Sequence, residues 1–182
     1  MYATNPKGLL TEIPECVLTI PNGDGKGKSC EIILNNLPDI SDTKQAHYNN
    51  EAIIGRSFPL YTYSYSGDRG ISISFHFFIL KKQDAIDNIN NLRKIQSAVY
   101  PREGEKGAPF TPPVICQFKC GKLLGETPLC LILQSYSVKF PTDVAWDEET
   151  YCPYKFDVET SWLTVYTSEE LPDQSQIIKS GR

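Results

Sequence analysis

The chain has 182 residues, with 22 acidic and 18 basic side chains, a net charge of -4 and 40% hydrophobic residues. This length predicts one domain with arms, long enough to bury a core without support from metal or disulfides. The composition excludes a disordered chain, a collagen and a disulfide-rich miniprotein, and the acidic balance argues against non-specific nucleic-acid binding. We place the domain at residues 1–171 and a polar tail at residues 172–182.

Two β-rich runs, Glu15–Pro21 and Ser29–Asn36, flank a glycine-rich segment, Asn22–Lys28. Glycines beside Asn and Asp provide the positive φ angles of a tight turn, so this region predicts a β-hairpin. The segment differs by one residue from a phosphate-binding loop, but that loop must open onto a helix, whereas Cys30 begins another β-rich run. The polar stretch Leu37–Asn50 follows, and we predict it to be an extended loop.

Two strands with a turn between them are predicted next. Tyr61, Tyr63 and Tyr65 alternate with polar residues and are therefore expected on one face of a strand. Ser66–Gly70 has the composition of a turn. Ile71–Ile79 then alternates apolar and polar side chains for nine residues, which is the clearest strand pattern in the chain.

The period changes from two to between three and four over Asp84–Val99, which predicts the single helix. Its apolar positions are Ile86, Ile89, Leu92, Ile95 and Val99. Asp84 suits the positive N-terminal end of a helix, and Pro101 stops the helix. We expect the apolar stripe to pack against the sheet.

The remaining chain predicts further strands and a second arm. Arg102–Pro113 is rich in Pro, Gly and charge and is expected to be an extended loop. Strands are predicted at Val114–Cys120 and Pro128–Phe140, joined by a turn over Gly121–Gly125. Tyr154–Tyr166 alternates along its length and is the last predicted strand. The fold class is mainly β (α+β): a β-barrel or sandwich with one mid-chain helix and extended loops.

Residues suited to catalysis or metal binding are scarce. The chain has two histidines, His47 and His76, and six cysteines, without a spacing typical of zinc sites. Cys116 and Cys120 share one face of a strand but are too far apart to form a disulfide. The N-terminal segment lacks the apolar stretch of a signal peptide, so we expect a reducing compartment in which the thiols stay free. We predict no enzyme activity, no metal and no cofactor.

Charge is distributed unevenly along the sequence. Residues 141–173 contain nine acids and one base, whereas residues 93–140 contain seven bases and three acids. Two interpretations stay open: the segments occupy different solvated faces, or an acidic flank of one copy meets a basic flank of the next copy in a ring. In the second interpretation the subunit-interface residues are Asp143, Asp147, Glu148, Glu149, Arg102, Lys106, Lys119 and Lys122.

Several motifs and the order of elements resemble the tail-tube fold of phages, in particular the baseplate-hub and tube-initiating proteins of contractile tails. The motifs, within residues 52–166, are Ser72–Phe78 before the helix, Ser97–Pro101 at its end, Pro112–Phe118 with Gly121 and Gly125 beyond it, Leu131–Ser137, and Cys152–Val158. The resemblance implies a structural virion protein of the tail or baseplate, assembled in the host cytoplasm and forming a homohexameric ring. Its partners would be its own copies and neighbouring tail-tube and baseplate proteins. DNA would pass through the lumen without specific binding, with no catalysis and no membrane.

Two alternatives come from other functional classes. The first is a cytoplasmic β-barrel that binds a small apolar ligand, with Tyr61, Tyr63, Tyr65 and Trp162 lining a cavity. The second is a hydrolase, which needs a nucleophile within hydrogen-bonding distance of a histidine.

Overall fold

A computed structural model describes residues 13–21, 29–103, 110–125 and 127–166. In these residues, nine strands and one helix form. The elements in chain order are β1 (Ile13–Ile20), β2 (Cys30–Leu34), β3 (Asp39–Glu51), β4 (Leu60–Phe78), α1 (Lys82–Ser97), β5 (Arg102–Glu103), β6 (Phe110–Thr111), β7 (Cys116–Cys120), β8 (Leu129–Lys139) and β9 (Lys155–Thr164). Seven of the strands form one antiparallel sheet in the order β2-β1-β7-β8-β9-β4-β3, and β5 pairs with β6.

The structure confirms two predicted pairs of strands and one further predicted strand. β1 and β2 pair as an antiparallel hairpin, which supports the hairpin over the phosphate-binding loop, although the turn at residues 22–28 lies outside the described residues. β7 pairs with β8 across the turn at Gly121, whose φ is 53°. β9 buries Phe156, Val158, Thr160 and Trp162 in strict alternation, as its period of two predicts. The predicted tail, residues 172–182, lies outside the described residues.

The predicted helix is also confirmed, with bounds two residues earlier than the pattern indicates. Asp84 lies in the first turn and accepts hydrogen bonds from the backbone N–H groups of Leu80 (3.2 Å) and Lys81 (2.9 Å). The buried stripe consists of Ala85, Asn88, Leu92 and Ile95. Ile86 is instead exposed, so the face that packs on the sheet is rotated from the predicted one. The Asn88 amide donates to the carbonyl of Phe78 at 2.9 Å and fixes the helix against the end of β4.

The predicted loop at Leu37–Asn50 and the predicted turn at Ser66–Gly70 are both wrong. The first is the 13-residue strand β3, and the second lies inside the continuous 19-residue strand β4. β3 pairs with β4 along the whole length of β3. β3 has a polar sequence because nearly all its side chains are exposed on both faces of the ribbon. The glycines at positions 67 and 70 lack the positive φ that a tight turn needs. Pairing with β3 satisfies the backbone there and keeps the strand extended.

The sheet is strongly curved but does not close into the barrel that the sequence allowed. The edge strands β2 and β3 are consecutive in the chain, and the five steps from Leu34 to Asp39 span at most about 18 Å. The edges of seven flat strands would be about 29 Å apart. The sheet therefore curls so that its edges approach each other, while β2 and β3 remain unpaired with one another. The structure is an open, rolled sheet with α1 on its concave, apolar side.

A single apolar core fills the concave side. Its largest fully buried side chains are Trp162, Phe75, Phe118, Phe156, Leu18, Ile32, Ile71, Ile73, Ile95 and Leu131. Each strand of the main sheet except β3 contributes buried side chains to it, and β3 contributes the partly buried Ile40. Because the apolar side chains of each alternating strand point to the concave side, the polar side chains of these strands lie on the convex side of the sheet.

The prediction that all thiols stay free is wrong for one pair. Cys16 on β1 and Cys120 on β7 lie directly opposite each other, 4.0 Å apart between their Cα atoms, and form a disulfide. The two residues are 104 positions apart, so only the pairing of β1 with β7 brings them together. The cysteines at positions 30, 116, 130 and 152 are not disulfide-bonded. The prediction for Cys116 and Cys120 is consistent with this arrangement, since the two do not bond to each other.

Candidate assembly interface

The edge strand β2 has no partner on its outer side among the described residues. Opposite Cα atoms of an antiparallel pair are about 4.5 Å apart when the two residues do not exchange hydrogen bonds and about 5.5 Å apart when they do. The 4.0 Å separation of Cys16 and Cys120 therefore marks a non-hydrogen-bonded pair, and Gly121 N–H donates to the carbonyl of Glu15 at 2.8 Å. Because backbone groups along a strand point alternately to its two neighbours, those of Leu18 point towards β2, where Leu18 and the opposite residue Ile32 exchange backbone hydrogen bonds. The N–H groups of the intervening β2 residues, including that of Glu31, consequently point away from the sheet.

The second open edge, β3, continues into a long arm. β9 pairs with β4 from Gly70 to Phe78 only, whereas β3 and β4 continue together to Glu51 and Leu60. We call residues 43–68 the arm. The nine β4 residues from Leu60 to Asp68 correspond to about 30 Å of strand beyond the sheet. A two-stranded ribbon is marginally stable in water by itself, so this arm has the geometry of an element that is completed by a partner.

The root of the arm is fixed by side chains. Arg69 forms a bidentate ion pair with Asp42, including contacts from its Nε atom at 2.9 and 3.1 Å. The carboxylate holds the pKa of Arg69 above its usual value. The Thr43 hydroxyl donates to the carbonyl of Gly70, and that of Thr164 donates to the carbonyl of Arg69, each at 3.1 Å. These contacts set the direction of the arm where it leaves the sheet.

Aromatic rings cover one side of the arm and do not line a cavity. His47 stacks on Tyr65 with ring centroids 4.5 Å apart, and Tyr48 meets Tyr63 edge to face at 5.7 Å. Tyr61, Tyr63 and Tyr65 are all more than half exposed, whereas Trp162 is fully buried in the core. The hypothesis that these tyrosines and Trp162 surround an apolar ligand is therefore wrong. The alternation of the sequence correctly indicated that the three tyrosines share one face of a strand. The pairing with β3, which places the tyrosines beyond the core, was not predicted.

The convex side of the sheet carries a polar network around His76. Its Nδ1 lies 2.6 Å from Asp157 on β9, and its Nε2 lies 3.2 Å from Asp39 on β3. The hydrogen bond to Asp157 is the main cause that raises the pKa of His76, and the bond to Asp39 adds to it. The histidine contacts two carboxylates rather than a nucleophile. It joins the edge strand to the centre of the sheet.

The charges on this convex side are balanced. Lys139 pairs with Glu159 at 2.7 Å, and Lys155 approaches Asp157 at 3.9 Å. Hydroxyl side chains occupy the neighbouring positions of the alternation: Ser72 and Ser74 on β4, Ser135 and Ser137 on β8, and Ser161 on β9. Strong binding to a phosphate backbone depends on an excess of Lys and Arg, and this surface lacks such an excess among the described residues.

The loop between β8 and β9, residues 140–154, holds all four predicted acidic interface residues in an ordered structure. Asp147 accepts hydrogen bonds from the hydroxyl (2.5 Å) and the backbone N–H (2.9 Å) of Thr150, and these bonds lower its pKa. Glu149 pairs with Lys82 at the start of α1 within the same molecule. Asp143 and Glu148 are exposed and have no charged partner in the described part of the chain.

The predicted basic residues lie apart from this loop in the sequence. Lys119 is exposed on β7, and Lys122 is exposed in the turn that follows it. Arg102 belongs to β5, and Lys106 lies outside the described residues. Among the described residues, no ion pair joins Lys119 or Lys122 to these acids, and contact between copies stays a prediction.

The described residues contain no group of three or more His, Cys, Asp or Glu side chains arranged to hold a metal ion. No helix in the described part of the chain is long and apolar enough to span a membrane. The absence of enzyme activity stays a prediction.

No protein-family model and no curated protein matches the chain. Among solved structures, a chain from the tail of an empty GTA particle, computed with helical refinement and C6 symmetry, is similar to this chain with 11% sequence identity and a TM-score of 0.40. The similarity covers 91% of this chain and 96% of that one. At this level the likeness assigns neither a family nor a function.

Proposed function

We propose that this chain is a structural subunit of a phage-type tail and that it assembles with its own copies into a ring through the open edges of its sheet. The observation that carries the proposal is a curved sheet with two edges that have no strand partner among the described residues, one of which extends into the arm. Exposed edges are a template for pairing with another chain. Pairing β2 of one copy with β3 of the next is a heterologous contact, which closes into a ring when the rotation per copy is suitable.

The finer role follows from the resemblance in sequence. The motifs between residues 52 and 166 resemble those of baseplate-hub and tube-initiating proteins, and we propose a homohexameric ring at that position of a contractile tail. DNA would pass through the lumen of this ring. The balanced charges on the convex side support a surface that does not retain DNA, since retention needs an excess of cations.

Electron microscopy of the purified protein tests the ring. We expect class averages with closed rotational symmetry, and monomers at every concentration and with candidate tail proteins would contradict the proposal. Glu31→Pro removes an outward N–H from β2, and proline is tolerated where that group faces solvent. We expect this variant to fold and to lose the ring.

Glu31→Ala is the matched control. It removes the same charge but keeps the backbone N–H, and we expect it to keep the ring. Equal loss of rings in both variants would show that the Glu31 side chain, rather than strand pairing, holds the copies together. Rings in both variants would show that β2 is not the contact.

A further inference from the structure

The tip of the arm is an exposed apolar surface with one positive charge. Residues 52–59 join β3 to β4, and we call them the tip. Ile54 is fully exposed, and Phe58 is 66% exposed. Gly55 has a φ of 86°, and Arg56 N–H donates to the carbonyl of Ile53 at 3.2 Å, so a turn holds these side chains outward. Arg56 lies between Ile54 and Phe58 in the sequence, and its guanidinium has no ion-pair partner in the described part of the chain.

A second exposed apolar surface lies in the loop of residues 140–154, which we call the β8–β9 loop. Tyr151 is 79% exposed and has a φ of 52°, a left-handed conformation that is unfavourable for a bulky residue. Trp146 and Tyr154 are each more than two-fifths exposed. Hydrogen bonds hold the loop in shape: Trp146 Nε1 donates to the carbonyl of Pro141 at 3.2 Å, and Tyr154 N–H donates to that of Ala145 at 3.0 Å. The surface is therefore ordered before any partner binds.

The two surfaces lie at opposite ends of the molecule. The β8–β9 loop adjoins the end of β4 at Phe78, where β9 begins and where Ile79 N–H donates to the carbonyl of Tyr154 at 2.9 Å. The tip adjoins the other end of β4 at Leu60. These 19 residues correspond to about 60 Å of strand. One copy consequently cannot place its own tip on its own β8–β9 loop.

The charges of the two surfaces are complementary. Among the described residues, Arg56 is the cation of the tip without an ion-pair partner, and Asp143 and Glu148 are the acids of the β8–β9 loop without one. Glu149 and Asp147 are already engaged by Lys82 and Thr150. Exposed apolar side chains neighbour these charges in the sequence at both ends, so an ion pair between copies would form next to newly buried apolar area and fix the orientation of the contact.

We propose that the tip of one copy docks on the β8–β9 loop of a second copy, so that copies stack end to end along the direction of β4. The contact is heterologous and repeats without closure, unlike the ring formed through the sheet edges. The inference rests on the proposed self-assembly, but it uses residues remote from β2. The two proposals therefore fail in different experiments.

Charge reversal tests the contact. Arg56→Glu places like charges opposite each other, and so does the double variant Asp143→Lys with Glu148→Lys. We expect each to lower the association constant for end-to-end stacking by roughly tenfold or more in sedimentation velocity. An equimolar mixture of the two proteins restores opposite charges at every contact, so stacking should return. Arg93→Glu, an exposed reversal on α1, is the control and should stack like the wild type.

A photocrosslinker at position 58 identifies the partner surface. The full-length protein with p-benzoylphenylalanine in place of Phe58 is mixed with an isotopically heavy wild-type copy and irradiated. Mixed-isotope adducts within residues 140–154 are the expected result. Adducts elsewhere on the chain, or a failure of the charge-reversed mixture to recover, would overturn the stacking contact.

The outcomes separate the two proposals. Closed rings with adducts outside residues 140–154 refute stacking and leave the ring intact. Adducts inside that range without closed rings support stacking and refute the ring, and monomers at all concentrations refute both. Co-flotation of the protein with vesicles of neutral and anionic lipid, with loss of binding in Phe58→Ser, would show that the tip enters a membrane instead and would overturn the inference.

Discussion

The buried hydroxyl of Thr160 joins two strands and the largest core side chain, and its removal gives a quantitative test of the core. It donates to the carbonyl of Ile73 at 2.7 Å and accepts from Trp162 Nε1 at 2.6 Å. Thr160 is 4% exposed and Trp162 is fully buried. Thr160→Val preserves the β-branched shape but leaves the indole N–H buried without its acceptor.

The expected loss follows from these contacts. A typical hydrogen bond contributes about 1 kcal/mol net, and a buried donor without a partner costs about 1–3 kcal/mol. The added methyl group returns up to about 0.8 kcal/mol through apolar burial. We therefore expect Thr160→Val to lower the free energy of unfolding by about 1–3 kcal/mol. With a urea slope of about 2 kcal/mol/M, the midpoint shifts down by about 0.5–1.5 M.

The assay is urea unfolding followed by far-UV circular dichroism, repeated at several protein concentrations because assembly adds concentration-dependent stability. Thr164→Val is the matched control. Thr164 donates one 3.1 Å bond to the carbonyl of Arg69 and is only half-buried, so we expect a loss of about 0.5–1 kcal/mol. A urea midpoint of Thr160→Val equal to that of the wild type, or an equal loss of unfolding free energy in both variants, would refute the assignment of this hydrogen-bond network to the core.

Three further predictions concern pH, redox state and the β8–β9 loop. Because Asp157 and Asp39 raise the pKa of His76, its stabilising contribution is complete below the unfolded-state value of about 6.5 and is lost as the pH rises through the higher folded-state value. The gap in unfolding free energy between wild type and His76→Gln should therefore narrow with rising pH, and a constant gap would contradict this. Denatured, unreduced protein should react with four thiol-reagent equivalents rather than six, and six would exclude the Cys16–Cys120 bond. Asp147→Ala should speed hydrogen exchange of the Thr150 amide and leave the exchange of the β4 amides unchanged, as followed by mass spectrometry. Unchanged exchange at Thr150 would rule out this turn.

Periodicity alone was sufficient for the faces of the clearest elements. Ile71, Ile73, Phe75 and Phe77 alternate because one face of β4 meets the core, and the alternation of β9 has the same cause. The helix was predicted because its period differs from that of a strand. The periodicity did not predict which face of the helix is buried, since the small or polar residues Ala85 and Asn88 are buried where larger apolar side chains were expected.

The arm and the disulfide depended on pairing between distant segments. A glycine at position 67 or 70 permits a turn but does not require one, and it was the partner strand β3 that kept β4 extended through both. The same pairing makes β3 a strand although its sequence is polar, because two exposed faces impose no apolar alternation. Cys16 and Cys120 meet through the β1–β7 register, which no local pattern contains.

The sequence by itself determined a mainly β domain, its single helix, the inward face of its central strands and the scarcity of residues suited to catalysis. Local hydrophobic period depends on which side chains are buried, and this information is present in neighbouring residues. Only the tertiary structure decided that the exposed tyrosines lie on an arm beyond the core, that the sheet curls without closing, and that two apolar surfaces lie at opposite ends of β4. These features depend on which strands hydrogen-bond and where that pairing stops, because the free energy of long-range contacts is not encoded in any short segment.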